Sequence, residues 1–143
     1  MTPADVRQRL ASVIDQRGLD DGYIDRDEER EILQFAVQMG YGMDEARAEL
    51  AAVCGERGYV IETAVLRVVS DQLAAAMAND GKIDRAEFER AFQATKAALR
   101  GKKDDREVKK LLVQTMEDTG RNRIKRGLFT NWYAKLKKEL GVA

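Results

Sequence analysis

Apolar residues recur every three or four positions along most of this chain, which is the spacing of one face of an α-helix. β-branched residues are sparse and Pro3 is the only proline, so the composition also favours helices over strands. We therefore predict an all-α fold, a seven-helix bundle with no convincing strand. The predicted helices cover residues 3–18, about 25–39, about 44–55, about 62–78, 84 to about 99, about 106–119 and about 125–140.

Residues at the predicted helix ends favour these boundaries. Thr2 begins a T-x-x-D capping box that Asp5 completes, and Asp44 is expected to cap the third helix. The inner face of the second helix is expected to hold Ile32, Leu33, Ala36 and Val37.

The fourth predicted helix is apolar around most of its circumference. Such a helix is expected to be buried by neighbours on several sides, with Val69 and Leu73 fully covered. We therefore place it at the centre of the fold.

A short segment occurs twice in the chain. Residues 22–28 read G-Y-I-D-R-D-E, and residues 81–87 read G-K-I-D-R-A-E. Each copy lies in a turn between two predicted helices. The sequence thus predicts one domain, residues 1–143, made of two four-helix units, about 3–78 and 62–140, that share the helix at about 62–78.

The composition excludes several kinds of chemistry. The 143 residues include no histidine and one cysteine, Cys54. Catalysis by Ser/His/Asp or Cys/His, histidine metal sites, multi-thiolate sites within one chain and an internal disulfide are therefore excluded. No phosphate-binding glycine loop or nucleophile elbow is present either, so we expect a protein that is not an enzyme. Cys54 is expected to be a buried structural thiol.

The two repeated turns resemble the second half of an EF-hand calcium loop. If Gly22 takes the sixth position, Ile24 is eighth and Glu28 twelfth, but Arg17 and Leu19 stand where the first and third ligands belong. A second interpretation needs no metal, because Asp25 with Glu28, and Asp84 with Glu87, form D-x-x-E capping boxes.

Capping does not explain the seven carboxylates between Asp15 and Glu29, since crowded carboxylates repel one another unless a cation lies among them. Weak Ca²⁺ or Mg²⁺ binding is therefore a second hypothesis for these turns. Its candidate metal ligands are Asp20, Asp21, Asp25, Glu28, Asp80, Asp84 and Glu87.

Seven helices, the duplication and two DGxIDxxE-type turns make residues 6–140 resemble the TerB family of tellurite-resistance proteins. The resemblance implies an all-helical bacterial domain without enzymatic activity, associated with stress or phage resistance. It also implies divalent-cation binding at Asp21, Asp25 and Glu28, and at Asp80, Asp84 and Glu87. The turn at residues 118–123 departs from this pattern, because basic residues stand where acidic ones are expected.

Charge is unevenly distributed along the chain, although its formal sum is zero. Residues 1–99 carry 12 basic and 19 acidic side chains, whereas residues 100–143 carry 13 and 6. Such asymmetry indicates surfaces for charged partners, or two copies that dock through opposite poles. The simpler interpretation is that these charges only coat solvated helix faces.

The basic C-terminal helix contains Phe129, Trp132, Tyr133 and Leu136 at helical spacing, and we expect these residues to form its core face with solvated lysines opposite. The sequence predicts an accessory or interaction module with a protein partner, in the cytoplasm. The alternatives are a degenerate EF-hand-like calcium sensor, or a C-terminal helix acting as an adaptor for an anionic membrane or nucleic acid. We do not expect nucleic acid, because no recognition motif is present.

Overall fold

The computed structural model describes residues 2–125 and 131–142, and helices make up most of this part of the chain. The predicted all-α fold is confirmed. Its elements in order are α1 (Pro3–Gly18), β1 (Tyr23–Ile24), α2 (Arg26–Gln38), α3 (Met43–Arg57), β2 (Val60–Ile61), α4 (Glu62–Ala76), α5 (Arg85–Leu99), α6 (Asp105–Asp118) and α7 (Trp132–Leu140). Within the described residues, no helix is both long and apolar enough to cross a bilayer.

The chain divides into two units, Met1–Ala64 and Val65–Ala143. In unit 1, α1, α2 and α3 pack on one another. They enclose a cluster of buried residues, namely Leu10, Ile14, Ile24, Ile32, Leu33, Ala36, Ala46, Leu50, Val53 and Cys54. In unit 2, α6 packs on both α5 and α7. The sharing of one helix between two repeated units stays a prediction.

Two strands that the sequence did not predict lie in unit 1. Tyr23 pairs with Val60 and Ile24 with Ile61 in a parallel ladder. In unit 2, Ile83 forms an isolated parallel bridge with Ile124. These pairings are a small addition to the all-α fold, and the sequence did not indicate them because two residues are too few to show the alternation by which a strand is recognised.

The helix α4 is buried along one stripe rather than all round. Val65, Val69 and Leu73 are buried at four-residue spacing, so full burial of Val69 and Leu73 is confirmed. Ala74 and Ala75 are exposed, contrary to the prediction of a helix covered on most sides. Alanine counts as apolar in a pattern, but it is also the best helix former and exposes little area at a surface.

Three further details of the helices differ from the predictions. Helix α3 begins at Met43 after Gly42, which makes no side-chain cap, so Asp44 does not cap it. Val37 is exposed rather than on the inner face of α2. Helix α7 begins at Trp132 with Asn131 as its cap, and Lys125 lies outside it.

Candidate functional site

The first acidic turn is held by hydrogen bonds from its own carboxylates. The Tyr23 N–H donates to Asp21 Oδ1 at 3.0 Å. Asp25 Oδ1 accepts from the Glu28 N–H at 2.8 Å, and Glu28 Oε1 accepts from the Asp25 N–H at 3.1 Å. The predicted capping box is therefore confirmed, and the side chain of Ile24 is fully buried beside it.

The second acidic turn repeats this arrangement. The Lys82 N–H donates to Asp80 Oδ1 at 3.0 Å, and Asp84 with Glu87 forms a reciprocal capping box. Gly22 and Gly81 both adopt left-handed backbone conformations, with φ of 66° and 71°. A residue with a side chain is strained there, so glycine is favoured at this point of both turns.

The predicted metal ligands are thus employed in turns and caps, except for Asp20, which lies exposed on the first turn. Burial raises the pKa of Glu28, and the charges of Asp25 and Asp21 add to the effect, so these carboxyl groups lie close enough to repel one another. No group of three potential ligands in residues 2–125 and 131–142 is arranged to hold a metal ion. Cation binding at either turn stays a prediction.

Two polar clusters in the structure were not predicted from the sequence. In unit 1, the Tyr59 hydroxyl donates to Asp15 Oδ1 at 2.7 Å, and Arg57 Nε lies 2.7 Å from the same oxygen. Burial raises the pKa of Asp15, but the hydrogen bonds from Tyr59 and Arg57 outweigh it, and the pKa is lowered. No sequence motif could have indicated this cluster, because it joins positions more than 40 residues apart.

The second cluster surrounds Glu117 in unit 2. Its Oε1 accepts from Lys137 Nζ at 2.6 Å and from the Tyr133 hydroxyl at 3.0 Å. Its Oε2 accepts from Asn122 Nδ2 at 2.6 Å. The Lys137 hydrogen bond is the main reason that the pKa of Glu117 is lowered.

The basic C-terminal helix is partly anchored in its unit. Trp132 and Tyr133 are buried, as predicted for the core face, whereas Phe129 lies outside the described residues. Lys135 and Lys138 are exposed. The expectation of solvated lysines is wrong for Lys137, which is held between Glu117 and the Tyr133 ring, 5.3 Å from its centroid.

Cys54 is buried in unit 1, as predicted. Burial raises its pKa to about 11, and the charges of Glu29 and Asp15 act in the same direction. The thiol is therefore protonated at neutral pH and is a poor nucleophile or metal ligand.

Pairing of the basic side chains differs between the two units. Unit 1 carries 7 basic and 14 acidic residues, and unit 2 carries 18 and 11. Five of the unit 1 arginines form ion pairs, namely Arg7, Arg17, Arg26, Arg30 and Arg57. Among the described residues of unit 2, ion pairs involve Lys96, Lys103 and Lys137. Unit 2 therefore has a net charge of +7 and unit 1 a net charge of −7. Most of the basic side chains that the structure describes in unit 2 form no ion pair.

The basic side chains of unit 2 that form no ion pair are suited to binding an acidic ligand through electrostatic attraction.

Comparison of the chain with protein-family models, with curated proteins and with solved structures gives no match.

Proposed function

We propose that the chain is a non-enzymatic interaction module whose basic unit 2 binds an acidic protein partner. The observation that carries this proposal is the net charge of +7 on unit 2, most of whose described basic side chains form no ion pair, whereas most arginines of unit 1 are paired. Complementary charge speeds the encounter of partners and selects among them. We also propose, from the resemblance to the TerB family, that the chain acts in bacterial stress or phage resistance.

The exposed lysines of α7 are the part of this surface that is simplest to test. Lys135 and Lys138 are exposed and form no ion pair with the described residues. Exposed charges contribute little to folding, so replacing both should leave the free energy of unfolding within about 1 kcal/mol. Lys137 must be kept, because its loss would disturb the Glu117 cluster.

The test measures binding of a fluorescent polyglutamate peptide by anisotropy at 50 mM and 300 mM salt. The wild-type chain should bind the peptide weakly, and binding should fall at the higher salt because the contacts are screened. Lys135→Gln with Lys138→Gln should reduce affinity severalfold. Arg7→Gln with Arg30→Gln removes the same charge from unit 1 and should leave binding unchanged.

Anionic vesicles and a single-stranded oligonucleotide serve as competing ligands in the same assay. Tighter binding of phosphatidylserine vesicles or of the oligonucleotide than of polyglutamate would contradict the proposal and favour the adaptor alternatives. Equal peptide binding by the wild type and both double variants would show that the basic side chains of α7 are only a solvated face.

A further inference from the structure

A cleft of about 210 Å³ lies between α5, α6 and α7 in unit 2. Its apolar lining includes Phe88 and Trp132, whose ring centroids are 5.4 Å apart, together with Leu136. The charged residues that line it are Arg85, Lys109, Lys135, Glu89 and Glu139.

The cations of this cleft are available to a ligand. Arg85 and Lys135 form no ion pair with any described residue, and Lys109 Nζ lies 5.1 Å from the centroid of the Phe92 ring. Glu89 and Glu139 offset part of this charge, so the lining has a net charge of +1. An apolar lining that also carries an excess of cations fits an apolar side chain that is flanked by carboxylates.

Unit 1 presents such a group on its first acidic turn. Leu19 is 74 % exposed, and Asp20 and Asp21 follow it directly. An exposed leucine alone needs no explanation. Leu19, however, lies among the seven carboxylates between Asp15 and Glu29, whose number capping does not explain. It also belongs to unit 1, whose net charge is negative, whereas the net charge of the cleft lining is positive.

Hydrogen bonds within the chain already fix the conformation of this turn in the absence of a partner. The Leu19 N–H donates to the Asp15 carbonyl at 3.0 Å, and the Gly22 N–H donates to the Gly18 carbonyl at 2.7 Å. Asp21 Oδ1 accepts a further hydrogen bond from the Tyr23 N–H, two residues later. A preorganised turn loses little conformational entropy on binding, which favours association.

We infer that the Leu19-Asp20-Asp21 turn of one copy inserts into the cleft between α5, α6 and α7 of a second copy. The inference rests on the proposed function, since it names another copy of this chain as an acidic partner of unit 2. Each copy carries both the turn and the cleft, so the contact is head to tail and leaves one of each free for further copies. The assembly should weaken as salt screens its charges.

Two double variants break opposite sides of the contact. The turn variant combines Leu19→Ser with Asp20→Lys, and the cleft variant combines Arg85→Glu with Lys135→Glu. Sedimentation velocity at 50 mM salt should show wild-type sedimentation coefficients that rise with concentration. Each double variant alone should stay monomeric, because it lacks one of the two surfaces.

A mixture of the two variants is the decisive measurement. The intact cleft of the turn variant can accept the intact turn of the cleft variant, so an equimolar mixture should form a dimer and nothing larger. Arg90→Glu with Lys110→Glu makes the same charge change at exposed positions that do not line the cleft. This control should associate like the wild type.

Three results would overturn the inference: a wild type that is monomeric at every concentration, association of the variants equal to that of the wild type, or a mixture that stays monomeric. The polyglutamate assay separates this failure from failure of the proposed function. A monomeric wild type that still binds polyglutamate through Lys135 and Lys138 removes the self-association and leaves the proposed function intact.

Discussion

Lys137 Nζ lies 2.6 Å from Glu117 Oε1 and joins the last turn of α7 to the last turn of α6. Both side chains are about three-quarters covered, with exposed fractions of 28 % and 27 %. A charge-assisted hydrogen bond with this degree of cover is worth more than an exposed ion pair. The pair therefore helps to fix α7, the helix that lines the cleft, against α6.

Glu117→Gln should lower the free energy of unfolding at pH 7 by about 1–2 kcal/mol, since it removes the charge that Lys137 pairs with. The pKa of Glu117 is lowered in the folded state. Its contribution is therefore present above the unfolded pKa of about 4.3 and is lost as pH falls through the folded value. Urea unfolding at pH 7, 5 and 3.5 should show the gap between wild type and variant closing in acid. A gap that is the same at all three pH values would contradict this assignment.

Gly18→Ala should destabilise unit 1 by about 1–3 kcal/mol, because overpacking forces a well-packed neighbour to move. A Cβ added at Gly18 would lie 2.7 Å from Cδ2 of Tyr59, and the Tyr59 hydroxyl is tied to Asp15. At Gly55, in α3, an added Cβ meets no atom within 4 Å. Gly55→Ala should therefore stabilise by about 0.5–1 kcal/mol, the usual gain of alanine over glycine in a helix.

A second variant identifies the cause of the Gly18→Ala effect. In a Tyr59→Ala background the substitution should cost much less, because the ring that it meets is gone. The free energy of unfolding is measured by chemical denaturation for the wild type, Gly18→Ala, Tyr59→Ala and the double variant, which together form a double-mutant cycle. An undiminished cost in that background would show that the Tyr59 ring is not what excludes alanine.

Much of the fold could be predicted because its signals are local. The D-x-x-E boxes at Asp25 and Asp84 each place donor and acceptor three residues apart, and periodicity marks the helices between them. The same box occurs at Asp104 and Glu107, where it caps α6, and it could have fixed the start of that helix. The prediction that Asp44 caps α3 was wrong because the helix begins one residue earlier, at Met43, with Gly42 at the N-cap position.

The candidate site depended on contacts between distant positions, which a single sequence does not show. Lys137 looked like one more solvated lysine until Glu117, 20 residues earlier, proved to be its partner. The cleft brings Arg85, Lys109 and Lys135 together from three helices, and no spacing in the chain predicts their approach. The sequence likewise does not predict that the Leu19 side chain is exposed, because the residues around it are typical of the end of a helix.

Leu73→Ala should cost about 2–5 kcal/mol, because it leaves a cavity where a fully buried side chain lay. Ala74→Ser, at an exposed position on the same helix, should change stability by less than about 0.5 kcal/mol. Urea unfolding followed by far-ultraviolet circular dichroism measures both. A cost below about 1 kcal/mol for Leu73→Ala would show that the surroundings of this side chain collapse without penalty.

Calcium or magnesium should raise the melting temperature if the first acidic turn binds a divalent cation, since a ligand selective for the folded state stabilises it. Oxygen ligands in an incomplete loop suggest a dissociation constant of about 10⁻⁴–10⁻³ M, so 10 mM metal should add about 1.4–2.7 kcal/mol. Sodium chloride at equal ionic strength is the control, because screening of crowded carboxylates is itself stabilising.

Asp21→Asn separates cation binding from the structural role of the turn. The amide oxygen of asparagine can still accept the hydrogen bond from the Tyr23 N–H, so the turn should persist while one carboxylate charge is lost. The metal-dependent shift should shrink in this variant and stay nearly unchanged in Asp80→Asn, because the first turn holds most of the acid. An equal shift in the wild type and both variants would mean that the turn carboxylates only cap helices and that the metal acts elsewhere.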